Sequence, residues 1–414
     1  MFKRVAGTKD ILPGEVYSWQ QIEKIGRSVF STYNYQEIRT PVIEELSLFN
    51  RSLGESAEIV QKQMFVIKTI SDEYVLRPEG TAAIVRAYIE NNLDKTAGFS
   101  KFFYIGPMFR FERPQKGRLR QFHHLGCEVI GSADPGVDIE VISLADNLLT
   151  SLSVEGYKIK LNSLGCSKDK IELAESLRNK LKAKLTQLCE DCNNRFKTNV
   201  LRILDCKNDV CKEVVSGLDI NDAHICPECK DHFNKVRSGL DALNVKYEFT
   251  PTLVRGLDYY TKTVFEITHE GLGSQDAIGA GGRYDNLVKE LGGPDLGAMG
   301  FAFGIERLLL ATNQKSEIVS KNLTFIITLG ETAKTEGIKI LSSLRNEGIT
   351  CDTDYESKSL KGAMRRANDL GATKVLIIGD NELKNSAVTL KNMKSGEQEQ
   401  VKFEDLVAKL RVIA

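Results

Sequence analysis

The sequence predicts a mixed α/β protein in two parts. The first is an α+β body, an antiparallel sheet flanked by helices and interrupted by a helical insertion. The second is a small α/β domain at the C-terminal end. Three observations carry this. Residues 101–131, KFFYIGPMFRFERPQKGRLRQFHHLGCEVIG, place two apolar, aromatic runs on either side of a polar basic loop with Pro114 and Gly117 as turn residues, the pattern of an antiparallel hairpin. Residues 170–245 turn Lys/Glu-rich and helical. From about Leu323, strand-like and helix-like runs alternate: strands over 324–328, 349–353, 374–379, 387–390 and 400–402, helices over 334–347, 359–370 and 404–409. Such alternation marks a separate domain of roughly ninety residues. The expected division is 1–320, containing the 170–245 insertion, and 322–414.

Length and charge bound the rest. The 414 residues suit two or three domains. Lys+Arg and Asp+Glu are both 56, so a nucleic-acid partner has to be held by local patches rather than by a global field. No apolar run is long enough to span a membrane, and the opening MFKRVAGTKDILPGE has no apolar core like that of a signal peptide. A cytoplasmic enzyme is the expectation, its nine cysteines reduced or metal-bound.

In chain order, a helix is expected over 15–32. Its stripe of Val16, Trp19, Ile22, Ile25, Val29 and Phe30 serves a core or a subunit interface. A strand over 35–40 meets Pro41, which cannot donate to a ladder and marks an edge or a strand end. A strand over 73–76 leads through Arg77-Pro78-Glu79-Gly80-Thr81 into a helix over 82–92, with Thr81 as its N-cap. That turn is either a plain connection or a place where Glu79 accepts hydrogen bonds from a ligand ammonium.

The hairpin loop carries Arg113, Lys116, Arg118 and Arg120, with Arg110 and Glu112 at its mouth. Exposed charge pairs add little stability, whereas planar guanidinium forks suit phosphate oxygens. A solvated basic loop is the other reading of the tip. Arg110 follows a buried-looking run and needs an anionic partner. Residues 253–267 resume strand character, with Arg255 and Asp258 around Gly256-Leu257 and Tyr259-Tyr260 next. Residues 279–285, GAGGRYD, read as a tight glycine-rich segment opening a helix, and match neither a Walker loop nor a Rossmann fingerprint. Residues 296–310 read as a strand running into a helix that holds Arg307 among apolar neighbours. An unpaired charge there is costly, and the adjacent Glu306 points elsewhere on the helix; an anionic ligand would explain it. Lys361, Arg365 and Arg366 share one helix face, either solvated or facing RNA.

Cys189-x2-Cys192 and Cys226-x2-Cys229 have the spacing of one four-cysteine structural zinc site, with Cys206 and Cys211 as spare ligands. Free thiols in a helical insert are the other reading. No βαβ pattern surrounds either pair to favour a redox role.

Together, the strand ending in Arg110 with its basic loop, the helix bearing Arg307, the early helix and strand ending at Pro41, and the closing α/β domain resemble the ordered motifs of class II aminoacyl-tRNA synthetases. LVRGLDYY at 253–260 and AGGRYD at 280–285 are similar to the two stretches peculiar to the histidyl-tRNA synthetase family, and the resemblance spans the chain. It implies that L-histidine and ATP give histidyl-adenylate and pyrophosphate with Mg²⁺, and that the acyl group then passes to the 3′ end of tRNA(His). It also implies a homodimer through the helix and strand ending at Pro41, and a C-terminal anticodon-binding domain. It places Arg110 and Arg255 at the α-phosphate, Arg307 and Arg118 at the outer phosphates, and Glu112 with ATP. Glu79 and Thr81 would take the histidine ammonium, Glu128 and Tyr260 its ring nitrogens, while Tyr259 and Tyr284 wall the pocket. Arg113 and Gln115 would meet the tRNA acceptor end. His124 stands where the family usually has a glutamine touching histidine, and an imidazole there introduces a titratable group. A non-catalytic, histidine-sensing regulatory paralogue is the alternative; it typically lacks the C-terminal domain and has lost active-site arginines.

Overall fold

The structure is a computed structural model describing residues 2–54, 57–96, 98–312, 322–356 and 359–412. The chain divides into two compact units, Met1–Ser316 and Glu317–Ala414. The boundary expected near 321 lies outside the described residues.

The first unit contains β1 (Gln36–Glu37), β2 (Ile43–Glu45), β3 (Phe65–Lys68), β4 (Glu73–Leu76), β5 (Ser100–Phe109), β6 (Gln121–Ile130), β7 (Tyr157–Ser163), β8 (Glu248–Phe249), β9 (Thr261–His269), β10 (Ala277–Arg283) and β11 (Ala298–Gly304). Eight strands form one sheet in the order β1-β5-β6-β11-β10-β9-β7-β8, and β2-β4-β3 form a small second sheet. The six central strands are antiparallel; the two short outer strands run parallel to their neighbours. The strand expected over 35–40 shrinks to the two residues of β1, after which Ile38 N still donates to Phe103 O (2.9 Å) before the chain leaves the sheet edge at Pro41.

Because side chains alternate across a strand, the large sheet separates two apolar clusters. One face presents Phe103, Leu125, Cys127, Phe265, Phe301 and Phe303 to a core that also takes Trp19, Ile22, Val29 and Phe30 of the helix Pro13–Thr32. That helix's stripe is therefore core. Gly26 lets it approach, since a Cβ there would lie 2.5 Å from Leu125. The other face presents Tyr104, Val264 and Ala298 to a second cluster around Phe49, Leu53, Tyr88 and Met108.

One expectation needs correction. Residues 277–283 are the strand β10, not a segment that opens a helix; the short helix Leu287–Glu290 begins only after Tyr284-Asp285-Asn286. Its glycines serve strand packing: a Cβ on Gly279 would meet Phe303 at 2.3 Å, and one on Gly281 would meet Gly300 O at 2.4 Å. The insertion expected over 170–245 is helical and joins the body at its end. Its helices are Ser167–Leu181, Glu190–Thr198, Asp209–Ser216 and Pro227–Ala242. The last one sends Phe233, Val236 and Leu240 into the first core and packs on the helix Pro135–Ser151. Its charged outer face hid that stripe in the sequence.

The second unit contains β12 (Thr324–Thr328), β13 (Cys351–Thr353), β14 (Lys374–Ile378), β15 (Ala387–Asn392) and β16 (Gln398–Lys402), in the order β13-β12-β14-β15-β16. The first three are parallel and the last two antiparallel to their neighbours. Apolar clusters cover both sheet faces. Lys361, Arg365 and Arg366 are exposed on the helix Leu360–Asp369.

Candidate active site

The sheet register builds the floor of a site. Tyr104, Gly126, Ala302, Ala280 and Glu266 form one cross-strand row. Two residues along, on the same face, lie Phe102, Glu128, Gly300, Gly282 and Val264. Tyr104 and Glu128 each have a glycine beside them. A Cβ on Gly126 would sit 2.8 Å from the Tyr104 ring, and one on Gly300 1.9 Å from Glu128 Oε2. Over this floor opens a cavity of about 290 Å³, lined among others by Arg110, Arg118, Arg255 and Arg307.

The arginines arrive from three directions. Arg110 leaves the end of β5, donates from Nε to Pro78 O (2.9 Å), and lays its guanidinium 5.3 Å from the Phe122 ring centroid. Arg118 pairs with Glu112 in the loop, which a Gln115–Arg118 bridge closes around Gly117 at φ +71°. Arg307, on the helix Ile305–Ala311, donates to Gly117 O (2.9 Å) and Ala277 O. Glu306 turns to His123, accepting from its backbone N–H at 3.0 Å. Arg255 pairs with Glu266, while its buried Nε has no partner among the described residues. Among the described residues, Arg110 and Arg307 have no carboxylate partner. Burial, then the charge of neighbouring guanidiniums, lowers the pKa of Arg118 and Arg307, and burial with repulsion from Arg255 lowers that of Arg110. Burial also opposes the charge on Arg255, but Glu266 and Tyr260 outweigh it and raise its pKa. Crowded, half-desolvated guanidiniums of this kind call for a polyanion.

The opposite wall is built around Glu128, which is 1% exposed. Its oxygens accept from Thr81 Oγ1 (2.7 Å) and Tyr284 Oη (2.5 Å). Burial, reinforced by Glu79, pushes its pKa to about 8 against those hydrogen bonds. Thr81 is thus not the N-cap of the helix Thr81–Glu90. Gly80 holds that position, and the buried Glu79 carboxylate does the capping, accepting from Thr81 N (2.6 Å) and Ala82 N (2.9 Å). The threonine hydroxyl is drawn inward to the buried Glu128 carboxyl instead. Tyr259 packs on Tyr260 and Tyr284 with centroids 4.7 and 5.7 Å apart. His124 lines the cavity. Burial, then Arg110 and Arg77, lowers its pKa to about 3, and its buried Nδ1 has no partner among the described residues. The imidazole is neutral at neutral pH, so it brings no titration to that range. Arg113 and Gln115 lie exposed on the loop rather than in the cavity.

Reading the sequence missed the braces of the Arg255 segment. Lys170 Nζ donates to Asp258 O (2.8 Å) and Tyr260 O (2.9 Å), Asn199 Nδ2 to Asp258 Oδ1 (2.9 Å), and Arg202 Nη1 to Gly256 O (2.7 Å). Tyr104 was missed as well. Only the tertiary fold brings these groups together, so no local pattern announces them.

The single cysteine site is also corrected. Cys189 and Cys192 converge with Cys206 and Cys211, whereas Cys226 and Cys229 converge with Cys166 and Asp169. The helix Pro227–Ala242 returns to the body, carrying its cysteines away from the first pair.

A family model described as histidyl-tRNA synthetase matches residues 7–308. The chain belongs to the histidyl-tRNA synthetase family. An anticodon binding domain model matches residues 324–413. A histidine–tRNA ligase of Thermosipho melanesiensis is 45% identical over 415 residues, 99% of either chain. One from Halothermothrix orenii is 43% identical over 413 residues, again 99% of each. A crystal structure of apo S. aureus histidyl-tRNA synthetase superposes with a TM-score of 0.81 at 36% identity, covering 99% of this chain and 100% of that one. The mixed sheets flanked by helices and the separate C-terminal domain are thus the architecture of this family.

Proposed function

We infer that the chain is a histidine–tRNA ligase, with the cavity over β6, β10 and β11 as its active site. One observation carries the reading: Arg110 and Arg307 enter, without carboxylate partners among the described residues, the same cavity that holds Glu79 and Tyr260 and overlies Glu128. A polyphosphate and an ammonium-bearing imidazole compound satisfy both sides at once.

In this reading Glu79, its oxygens already aligned by two backbone N–H groups, and the Thr81 hydroxyl receive the histidine ammonium. Glu128 and Tyr260 take the two ring nitrogens, and neutral His124 offers a further contact. A site of paired polar groups rejects amino acids that leave them unpaired. The histidine carboxylate attacks the α-phosphorus as the bond to the pyrophosphate oxygen breaks. Arg110 and Arg255 stabilise the charge on the α-phosphate oxygens; Arg118 and Arg307 hold the departing pyrophosphate. Glu112 supplies a carboxylate beside those phosphates, a donor that fits magnesium, which takes carboxylate and phosphate oxygens together. When bound, that ion offsets phosphate charge. The 3′-terminal ribose hydroxyl of tRNA(His) then attacks the histidyl carbonyl and AMP leaves. Arg113 and Gln115 meet the acceptor end, and the second unit reads the anticodon.

The protein acts in the cytoplasm as a homodimer in this reading. The outer edge of β1 and the exposed Val42, Ile43, Val66 and Ile67 support the latter. No helix among the described residues is long and apolar enough to cross a membrane. The regulatory alternative is not favoured, since the arginines and the C-terminal unit are both present. ATP–pyrophosphate exchange with each amino acid in turn tests the assignment. Exchange with histidine alone is expected; none with any amino acid would overturn it.

A further inference from the structure

We propose that the insertion is stapled by two separate zinc ions, one held by Cys189, Cys192, Cys206 and Cys211, the other by Cys166, Asp169, Cys226 and Cys229.

The first set reads C-x2-C-x13-C-x4-C along the chain. Its four sulfurs all lie within 4.8 Å of one another, and Cys189 Sγ is 3.9 Å from Cys206 Sγ. A tetrahedron with zinc–sulfur bonds of about 2.3 Å has sulfur–sulfur edges of about 3.8 Å, so the spacing suits one small ion. Soft thiolates in a tetrahedral set select zinc over the hard cations of a phosphate site. Cys189 is the N-cap of the helix Glu190–Thr198, and Cys192 sits in its first turn, where the helix dipole steadies negative charge. The Cys189 backbone N–H points to Cys211 Sγ at 3.2 Å.

The second set repeats the arrangement. Cys166 and Cys226 are the residues before the helices Ser167–Leu181 and Pro227–Ala242, and Asp169 and Cys229 lie three residues on. Cys166 N donates to one Asp169 oxygen (3.0 Å), which leaves the other oxygen available to an ion. Gly165, at φ +68°, makes room: a Cβ there would lie 2.2 Å from Asp169 Oδ2. Buried cysteines often act as small apolar side chains. That reading explains one contact but not two sets of four ligand atoms that converge at helix N-termini.

The two centres have different mechanical tasks. The second clips the start of the insertion to its final helix. The first brackets 199–204, the segment whose Asn199 and Arg202 hold Asp258 and Gly256 beside Arg255. The insertion's own core is small, built from Leu173, Leu177, Leu181, Leu188, Val200 and Ile203 around the cysteines, and small cores need a metal or another cross-link.

Metal content of the full-length protein, purified without chelator, should be two zinc ions per chain by mass spectrometry. Cys206→Ser/Cys211→Ser should lose one, Cys226→Ser/Cys229→Ser the other. Should a variant fail to fold, the parent stripped of metal and titrated with Co²⁺ supplies the second readout, a thiolate-to-cobalt charge-transfer band that saturates at two equivalents. A single zinc, lost with the Cys206/Cys211 pair, would overturn the second centre and keep the first. Zinc content unmoved by either variant, or no zinc and no cobalt band, would overturn both.

Discussion

Replacing Arg255 with alanine separates chemistry from scaffolding. Two effects act together. The variant loses a donor aimed at charge that develops in the transition state, a loss worth about 10²–10³ in rate, or about 3–4 kcal/mol. It also strands Glu266. The Arg255 and Glu266 side chains are 18% and 20% exposed. Breaking a fully buried pair costs about 3–5 kcal/mol, and with partial access to water about half of that is expected. Arg255→Ala should therefore reduce histidine-dependent ATP–pyrophosphate exchange by at least about 10²-fold and lower the thermal midpoint by a few degrees. Retention of tRNA on a filter should stay near the parental level. The double variant Arg255→Ala/Glu266→Gln removes the stranded charge, so it should recover the midpoint and leave exchange low. Exchange within about threefold of the parent in the single variant, or recovered exchange in the double one, would refute the role given to Arg255.

Three other outcomes follow from the same geometry. His124 has a folded pKa near 3, below its unfolded value of about 6.5; its contribution to stability is present above 6.5 and is lost as pH falls toward 3, about 2 kcal/mol by pH 5. His124→Gln should therefore lose less stability than the parent between pH 7 and pH 5 in urea titrations, and the histidine KM of the two should share one pH profile from 6 to 8. Glu79→Ala removes both a helix cap and the ammonium acceptor, so melting should report a loss of about 1–2 kcal/mol and exchange should become undetectable. Asp138→Asn takes one of two carboxylates from the fully buried Arg283, which keeps Asp285, and weakens the pairing of His232; a loss of about 3 kcal/mol in chemical denaturation, the low end for breaking a buried pair, is expected.

What the sequence revealed was whatever local pattern encodes. Apolar, aromatic runs around a proline-glycine loop announce β5 and β6, a 3.6-residue stripe announces the helix Pro13–Thr32, and Arg307 among leucines announces a charge that needs a partner. The misreadings share one cause, a choice made by the tertiary fold. Glycine disfavours strands, so GAGGRYD reads as a segment opening a helix until Phe303 and the neighbouring backbone show why nothing larger fits. Two C-x2-C pairs carry no information on which joins which; the helix Pro227–Ala242 decides by returning to the body. Lys170 and Arg202 look like surface charges because their acceptors are main-chain carbonyls about 50 to 90 residues away along the chain. Thr81 resembles a cap until Glu128, 47 residues on, competes for its hydroxyl.

The glycines of the floor, Gly126, Gly300 and Gly282, give the cavity a one-sided evolvability. Its depth is set by methyl groups that are not there, and a residue without a side chain cannot be trimmed further. Single substitutions at these glycines can only make the space shallower, and at Gly300 the first atom added meets Glu128. Room for a larger amino acid has to come from the walls, by shortening Tyr104, Tyr259, Tyr260 or Tyr284, each of which also carries a hydroxyl or a ring contact of the site. A lineage departing from its present substrate would thus begin at the tyrosines, and it would surrender hydrogen-bonded or stacked partners at the same step as it gained volume.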